Sequence, residues 1–149
     1  MKLETTRFGV CDIEEALIVT FPEGLPGFER FRQFVFVPHP TSAGASPSPF
    51  EWLQSVEDGG LAFLTMNPRH FFQDYAPQLP KQDLAALQLE KGGPVPILHV
   101  LMTIPTGNPT GITANLLAPV IINPLTRRAR QVIVQGDAYG LRHRLLPDG

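Results

Sequence analysis

One cysteine, Cys11, stands in the whole chain. It has no partner within the chain, which excludes an internal disulfide and agrees with a reducing compartment. Charge is also scarce. Asp, Glu, Lys and Arg together make up 17% of the residues, against about a quarter in an ordinary domain. The net charge is −2, so the chain as a whole lacks the positive excess that holds nucleic acid. Apolar runs are short. The longest, such as 115–122, fall far below the length that spans a bilayer. The opening MKLETTRFG lacks the apolar stretch of a signal peptide, so a cytoplasmic protein is expected. No glycine-rich phosphate loop, cysteine pair or His-Glu-x-x-His helix occurs, and no segment repeats at a fixed period.

Turn-forming and apolar residues are plentiful. The 149 residues include 16 Pro and 13 Gly, and 43% are hydrophobic, with ten Phe. That length supports a core without disulfides or metals, and that apolar content argues against disorder. Pro and Gly break helices, so short strands joined by many turns are expected. Leu17–Phe21 reads as a β-branched strand that stops at the Pro/Gly-rich 22–27. Gln33–Val37 follows, then 41–49, whose small and polar residues predict a flexible surface loop. Phe50–Val56 and Leu61–Met66, joined by Glu57-Asp58-Gly59-Gly60, predict a hairpin. Lys81–Leu89 is the one plausible helix, with Pro80 at its start and Leu84 and Leu87 on one face. Pro96–Ile104, Thr113–Leu117, Pro119–Ile122, Arg128–Gln135 and Tyr139–Leu146 read as further strands, with a turn at 106–111. The expected fold is mainly β: one domain over residues 1–149, antiparallel and barrel-like, with one short helix. No alternation of strand and helix supports a doubly wound fold.

Catalytic chemistry finds little footing. The four histidines, 39, 70, 99 and 143, are scattered and show no ligand spacing. His70 and Asp74 lie in a Pro-bounded segment that reads as a surface turn. Ser55 sits in an expected strand with no nucleophile elbow. Cys11 has Asp12, Glu14 and Glu15 beside it, and negative charge opposes thiolate formation. No metal, cofactor or catalytic residue is therefore expected.

Charge and aromatic patterning are more informative. Residues 1–29 carry Glu4, Asp12, Glu14, Glu15, Glu23 and Glu29 against Lys2 and Arg7, while 120–149 carry Arg127, Arg128, Arg130, Arg142 and Arg144 against Asp137 and Asp148. The plain reading is a pair of solvated faces. Asp12, Glu14 and Glu15 fall in an expected turn, and Glu57 and Asp58 at the hairpin tip. Phe71, Phe72 and Tyr75 crowd an irregular segment and cannot all easily point inward. They are expected to divide between core and partner surface.

A set of ordered motifs then stands out. Thr6-Arg7-Phe8-Gly9 precedes Phe21-Pro22-Glu23-Gly24-Leu25-Pro26-Gly27-Phe28-Glu29. Pro49–Ser55, Leu61–Leu64 and Asn67–Tyr75 come next, followed by Thr113–Asn123 and Ala129–Ile133. In this order and at these spacings the chain resembles the FliW family, from near the first residue to Tyr139 or beyond. The loop at 41–49 is longer than that pattern, as an insertion would make it. The resemblance implies a compact β-barrel-like fold and no cofactor. It also implies a cytoplasmic partner-switching role: binding flagellin in a chaperone-like manner, and binding CsrA, the RNA-binding repressor of flagellin translation. A monomer on its own is expected. The partner-binding candidates are Asp12, Glu14, Glu15, Glu57, Asp58, Phe71, Phe72 and Tyr75. An acidic surface would complement a basic RNA-binding partner. Two other readings stand beside this one. One is a small β-barrel ligand-binding protein or enzyme, which would need a pocket of converging polar groups. The other is a nucleic-acid binder using the five arginines, which salt-dependent RNA binding would support.

Overall fold

The computed structural model describes residues 1–38, 48–90, 92–107 and 111–145. Among these residues lie eleven strands. They are β1 (Lys2–Thr5), β2 (Gly9–Asp12), β3 (Val19–Thr20), β4 (Gln33–Pro38), β5 (Phe50–Ser55), β6 (Ala62–Met66), β7 (Ile97–Thr103), β8 (Thr113–Ala114), β9 (Val120–Ile122), β10 (Ala129–Gln131) and β11 (His143–Arg144). One α-helix, α1 (Lys81–Ala86), and two single 3-10 turns, Glu15–Leu17 and Pro68–His70, complete the elements.

The main sheet runs β3-β4-β5-β6-β7-β9-β10 and is antiparallel throughout, with β8 and β11 branching from β7. It curls until its ends meet. The Thr20 N–H donates to the Arg127 carbonyl at 2.8 Å, and Thr20 makes one parallel bridge with Arg128. The result is barrel-like, as the composition and the turn spacing led us to expect. β1 and β2 form a separate hairpin lying on the tip of β5–β6, where the Thr6 N–H donates to the Gly59 carbonyl at 3.0 Å.

Register decides which side chains enter the barrel. Phe36 pairs with Leu53, Leu53 with Phe63, Glu51 with Thr65, and Thr65 with Leu101. On the far side His99 pairs with Val120, and Ile97 with Ile122. Side chains alternate along a strand, so Glu51, Thr65 and His99 share the inward face with Leu53. The barrel core is built from Val19, Phe21, Leu25, Phe34, Leu53, Val120, Ile122 and Ala129. Two smaller clusters cover the outer face. Tyr75 and Leu116 pack on Met66 and Val100, while Leu87, Leu89 and Val132 pack on Ile121. The sheet around β7 and β9 is thus buried on both sides, which accounts for the unbroken apolar run Val120-Ile121-Ile122.

Several elements differ from the sequence reading. Leu17–Phe21 shortens to β3, because Glu15–Leu17 turns as a 3-10 segment. The expected helix Lys81–Leu89 ends at Ala86, with Gln88 at φ 58. Leu87 and Leu89 still bury, but from a turn. Arg128–Gln135 is a strand only over Ala129–Gln131, and Tyr139–Leu146 only over His143–Arg144, Leu146 lying outside the described residues. Asp12 closes β2, and Glu14 and Glu15 enter the 3-10 turn. The N-terminal hairpin β1–β2 had no expected counterpart. Of the 41–49 loop, residues 41–47 lie outside the described residues, as do 108–110 of the expected turn at 106–111.

The motifs that carry the family resemblance have local jobs. In the turn at 21–29 the Gly24 N–H donates to the Phe21 carbonyl at 2.9 Å, while Phe21 and Leu25 are buried. Phe21 meets Phe34 edge-on at 5.4 Å. Arg7 lies 3.9 Å over the Trp52 ring, and Phe8 meets that ring edge-on at 6.3 Å, clamping the N-terminal hairpin to β5. Asn123 is 2% exposed. Its Oδ1 accepts from the Leu125 and Thr126 N–H groups, and its Nδ2 donates to the Leu87 carbonyl at 2.7 Å.

Candidate partner-binding surfaces

Of the two acidic clusters, separate in sequence, Glu15 lines a groove whose wall includes Gln33, the residue held by Glu57. Met1, Glu15, Ile18, Gln33 and Val56 line it. Glu57 follows Val56, and its carboxylate accepts the backbone N–H groups of Arg32 and Gln33, the latter at 2.8 Å. Asp58 is exposed and its Oδ1 accepts the Gly60 N–H at 2.9 Å. Asp12 is exposed and lies 3.6 Å from the N-terminal ammonium. Glu14 and Glu15 are exposed and make no side-chain hydrogen bond or ion pair among the described residues. Glu57 is thus tied down by its own backbone, while Glu14 and Glu15 face solvent.

The hairpin tip that carries Glu57 and Asp58 is latched from beneath. Gln54 is fully buried. Its side-chain N–H₂ reaches the carbonyls of Ser55 (3.0 Å), Leu61 (3.2 Å), Gly59 (3.3 Å) and Asp58 (3.4 Å). The Ser55 hydroxyl accepts the Glu57 and Asp58 N–H groups at 3.1 and 2.9 Å.

The aromatic trio separates. Tyr75 is 2% exposed and donates its hydroxyl to the Leu116 carbonyl at 2.6 Å. Phe72 is half-buried, edge-on to His143 at 6.0 Å. Phe71 is 38% exposed and stacks on Phe50 at 6.0 Å. With Tyr139 and His143 the three line a second groove.

Two of the five arginines are taken up by contacts within the fold. Arg130 is held by Glu23 at 2.7 Å and Asp83 at 3.3 Å. Arg127, at φ 61, donates to the Leu17 carbonyl at 2.8 Å and closes the barrel seam.

A third site was not legible in the sequence. At one mouth of the barrel Glu51, His99 and Arg127 share a cavity of about 250 Å³ with Leu17, Phe36 and Ile97. His99 stacks on Phe36 at 4.3 Å. The Thr65 hydroxyl donates to the Glu51 carbonyl oxygen at 3.0 Å, so it meets His99 Nδ1, at 3.4 Å, as an acceptor. That places the ring proton on Nδ1 and leaves a lone pair on Nε2, 4.0 Å from the Glu51 carboxylate. Burial lowers the His99 pKa to about 4 and raises that of Glu51. At neutral pH the pair is therefore not a salt bridge. Alternation with Leu53, and with Ile97 and Leu101, was the available signal for these inward positions. The register that joins them was not.

These shifts fix a sign. Between about pH 6.5 and 4 the unfolded chain binds a proton at His99 that the folded chain refuses. Stability is expected to fall as pH drops through that window, by at most about 3 kcal/mol. Glu51, whose raised pKa lets the folded chain take up a proton before the unfolded chain does, opposes this within the same window. Urea denaturation at pH 7 and pH 4.5 should show a smaller difference between the two pH values in His99→Gln than in the unmodified protein. An equal difference would place the acid sensitivity elsewhere.

Among the described residues no three His, Cys, Asp or Glu side chains are grouped to hold a metal, and no helix is long and apolar enough to cross a membrane. Comparison with known proteins gives one answer. The profile of the family described as FliW protein matches residues 2–145. The flagellar assembly factor FliW of Moorella thermoacetica is 36% identical over 99% of this chain and 90% of its own length. That of Natranaerobius thermophilus is 36% identical over 99% and 94%. A crystal structure of the flagellar assembly factor FliW superposes with a TM-score of 0.84 at 34% identity, covering 99% of this chain and 98% of that one. The curled sheet, the motif-bearing turns and these full-length matches agree: the chain belongs to the FliW family of flagellar assembly factors.

Proposed function

We propose that this chain is a single-domain, non-catalytic cytoplasmic regulator that binds CsrA and flagellin in turn, relieving repression of flagellin translation when flagellin leaves. The observation that carries the reading is the approach of Glu15 and Glu57, one from each acidic cluster, to a single groove. CsrA must present positive charge to RNA, and opposed charge speeds encounter. The two partners draw on one pool of the protein, so export of flagellin frees it for CsrA by mass action. The arginines spent on Glu23, Asp83 and the barrel seam weigh against direct RNA binding.

A release assay tests this. In a mixture of CsrA and a labelled flagellin leader RNA, added protein should free the RNA without itself shifting its mobility. Added flagellin should restore the CsrA–RNA complex. Reversal of Glu14 and Glu15 to lysine should slow association with CsrA, and the effect should shrink at high salt. Absence of a complex with CsrA at every salt concentration would remove the mechanism.

A further inference from the structure

We infer that the barrel mouth is an anchor pocket that seats the ammonium group of one lysine side chain from a basic protein partner, between Glu51 and His99. The inference deepens the CsrA reading and rests on it for the identity of the partner. Glu51 is a half-buried carboxylate with no lysine or arginine within ion-pair distance among the described residues. A half-buried, unpaired charge is costly, and a cation that reaches it is well rewarded. Its one titratable neighbour answers with a lone pair. The cavity therefore presents two acceptors, Glu51 Oε1 and His99 Nε2, 4.0 Å apart. A nitrogen about 2.9 Å from each satisfies ordinary hydrogen-bond geometry. An ammonium group carries three donors on a compact centre and can serve both at once.

The walls suit the stem of the same side chain. Leu17, 48% exposed, and Ile97, 36% exposed, form an apolar rim where a lysine chain would lie with its head inward. Arg127, the other charge lining the cavity, has its guanidinium on the Leu17 carbonyl. Its buried Nε has no partner among the described residues, and its like charge works against an ammonium, which Glu51 must therefore hold on its own side of the cavity. Glu15, which lines the acidic groove, and Leu17, which lines the mouth, stand two residues apart in the chain. Residues 39–47, between β4 and β5, carry no lysine or arginine. Lys91, outside the described residues, is the in-chain competitor to be tested.

The measurement is made on the intact protein in two arms. In the first, dissociation from CsrA is compared for the unmodified protein and Glu51→Gln, with melting temperatures measured alongside. Glu51→Gln should bind about tenfold more weakly, chiefly through faster dissociation, with its fold intact. Equal affinity would overturn the pocket while leaving the CsrA reading untouched. In the second arm the His99 ring resonances are followed while Nα-acetyl-lysine methylamide is added. They should shift saturably, and should not shift with the Nε-acetylated, uncharged analogue or in Glu51→Gln. Equal shifts with both analogues, or none with either, would overturn the inference. If the unmodified protein forms no complex with CsrA, the functional reading falls and this arm alone decides the pocket. A His99 shift on Lys91→Ala without any probe would make the chain's own lysine the occupant and overturn the inference too.

Discussion

Replacing Tyr75 with alanine is expected to remove about 4 kcal/mol of stability, whereas Phe71→Ala should cost about 1 kcal/mol or less. The two rings are four residues apart in one irregular segment, and the difference follows from where each is sent. Tyr75 is enclosed by Met66, Val100, Ala114 and Leu116 and meets Tyr139 edge-on at 4.6 Å. Burial, with Tyr139 beside it, holds its phenol well above the usual pKa. Alanine there opens a cavity and strands the Leu116 carbonyl. Tyr75→Phe keeps the ring and should cost only about 1–2 kcal/mol, the share of the hydroxyl and its unpaired acceptor. A domain of this kind has about 5–15 kcal/mol in total, so Tyr75→Ala takes a large fraction of it. Phe71 loses its stacking on Phe50 and its ring contact with His70, both at the surface. The folded Phe71→Ala protein is then the informative one for partner binding, and weakened binding to flagellin or CsrA is expected from it. Urea denaturation separates the classes. Comparable losses at Phe71, Phe72 and Tyr75 would refute the division between core and surface.

Gly24→Ala is expected to cost about 3 kcal/mol or more, and Gly27→Ala only about 1–2 kcal/mol. Both glycines have left-handed backbones, at φ 69 and φ 83. A side chain pays the conformational penalty at either. Only at Gly24 does it also meet protein: a Cβ would lie 2.5 Å from the Glu29 Cα and 2.8 Å from the Glu29 carbonyl oxygen. No rotamer relieves an overlap with backbone, so the turn must open and pull on Phe21 and Leu25 beneath it. At Gly27 nothing stands within 4 Å. The difference between the two melting curves isolates the close approach. Equal curves would show that the turn relaxes without disturbing the core.

What could be read from the sequence was whatever is written locally. The hairpin of β5 and β6 was evident from two apolar runs flanking Glu57-Asp58-Gly59-Gly60, and the turn at 21–29 from its Pro and Gly. The barrel-like class followed from many short strands. Element ends were harder. Gln88 adopts a left-handed backbone and stops α1 early, a choice made by the burial of Leu87 and Leu89 and not by helix propensity. β1 and β2 escaped notice because their four residues each hold little apolar character. They stand because the Arg7 and Phe8 contacts to Trp52 and the Gly59 hydrogen bond anchor them. The acidic candidates were visible as residues, but the approach of Glu15 and Glu57 to one groove depends on pairing distant segments. The mouth site is the extreme case. Glu51, Thr65 and His99 lie on three strands, and only the register makes them neighbours.

The latch beneath the hairpin has a consequence for recognition. Gln54 is one side chain, yet its amide faces four carbonyls and holds the whole tip from inside the fold. A loop so held has already surrendered its conformational freedom during folding. A partner arriving at Glu57 and Asp58 meets a surface with little left to immobilise, so ordering takes a smaller share of the affinity. Stiffness also narrows what can dock, because a rigid pair of carboxylates accepts only cations spaced to match.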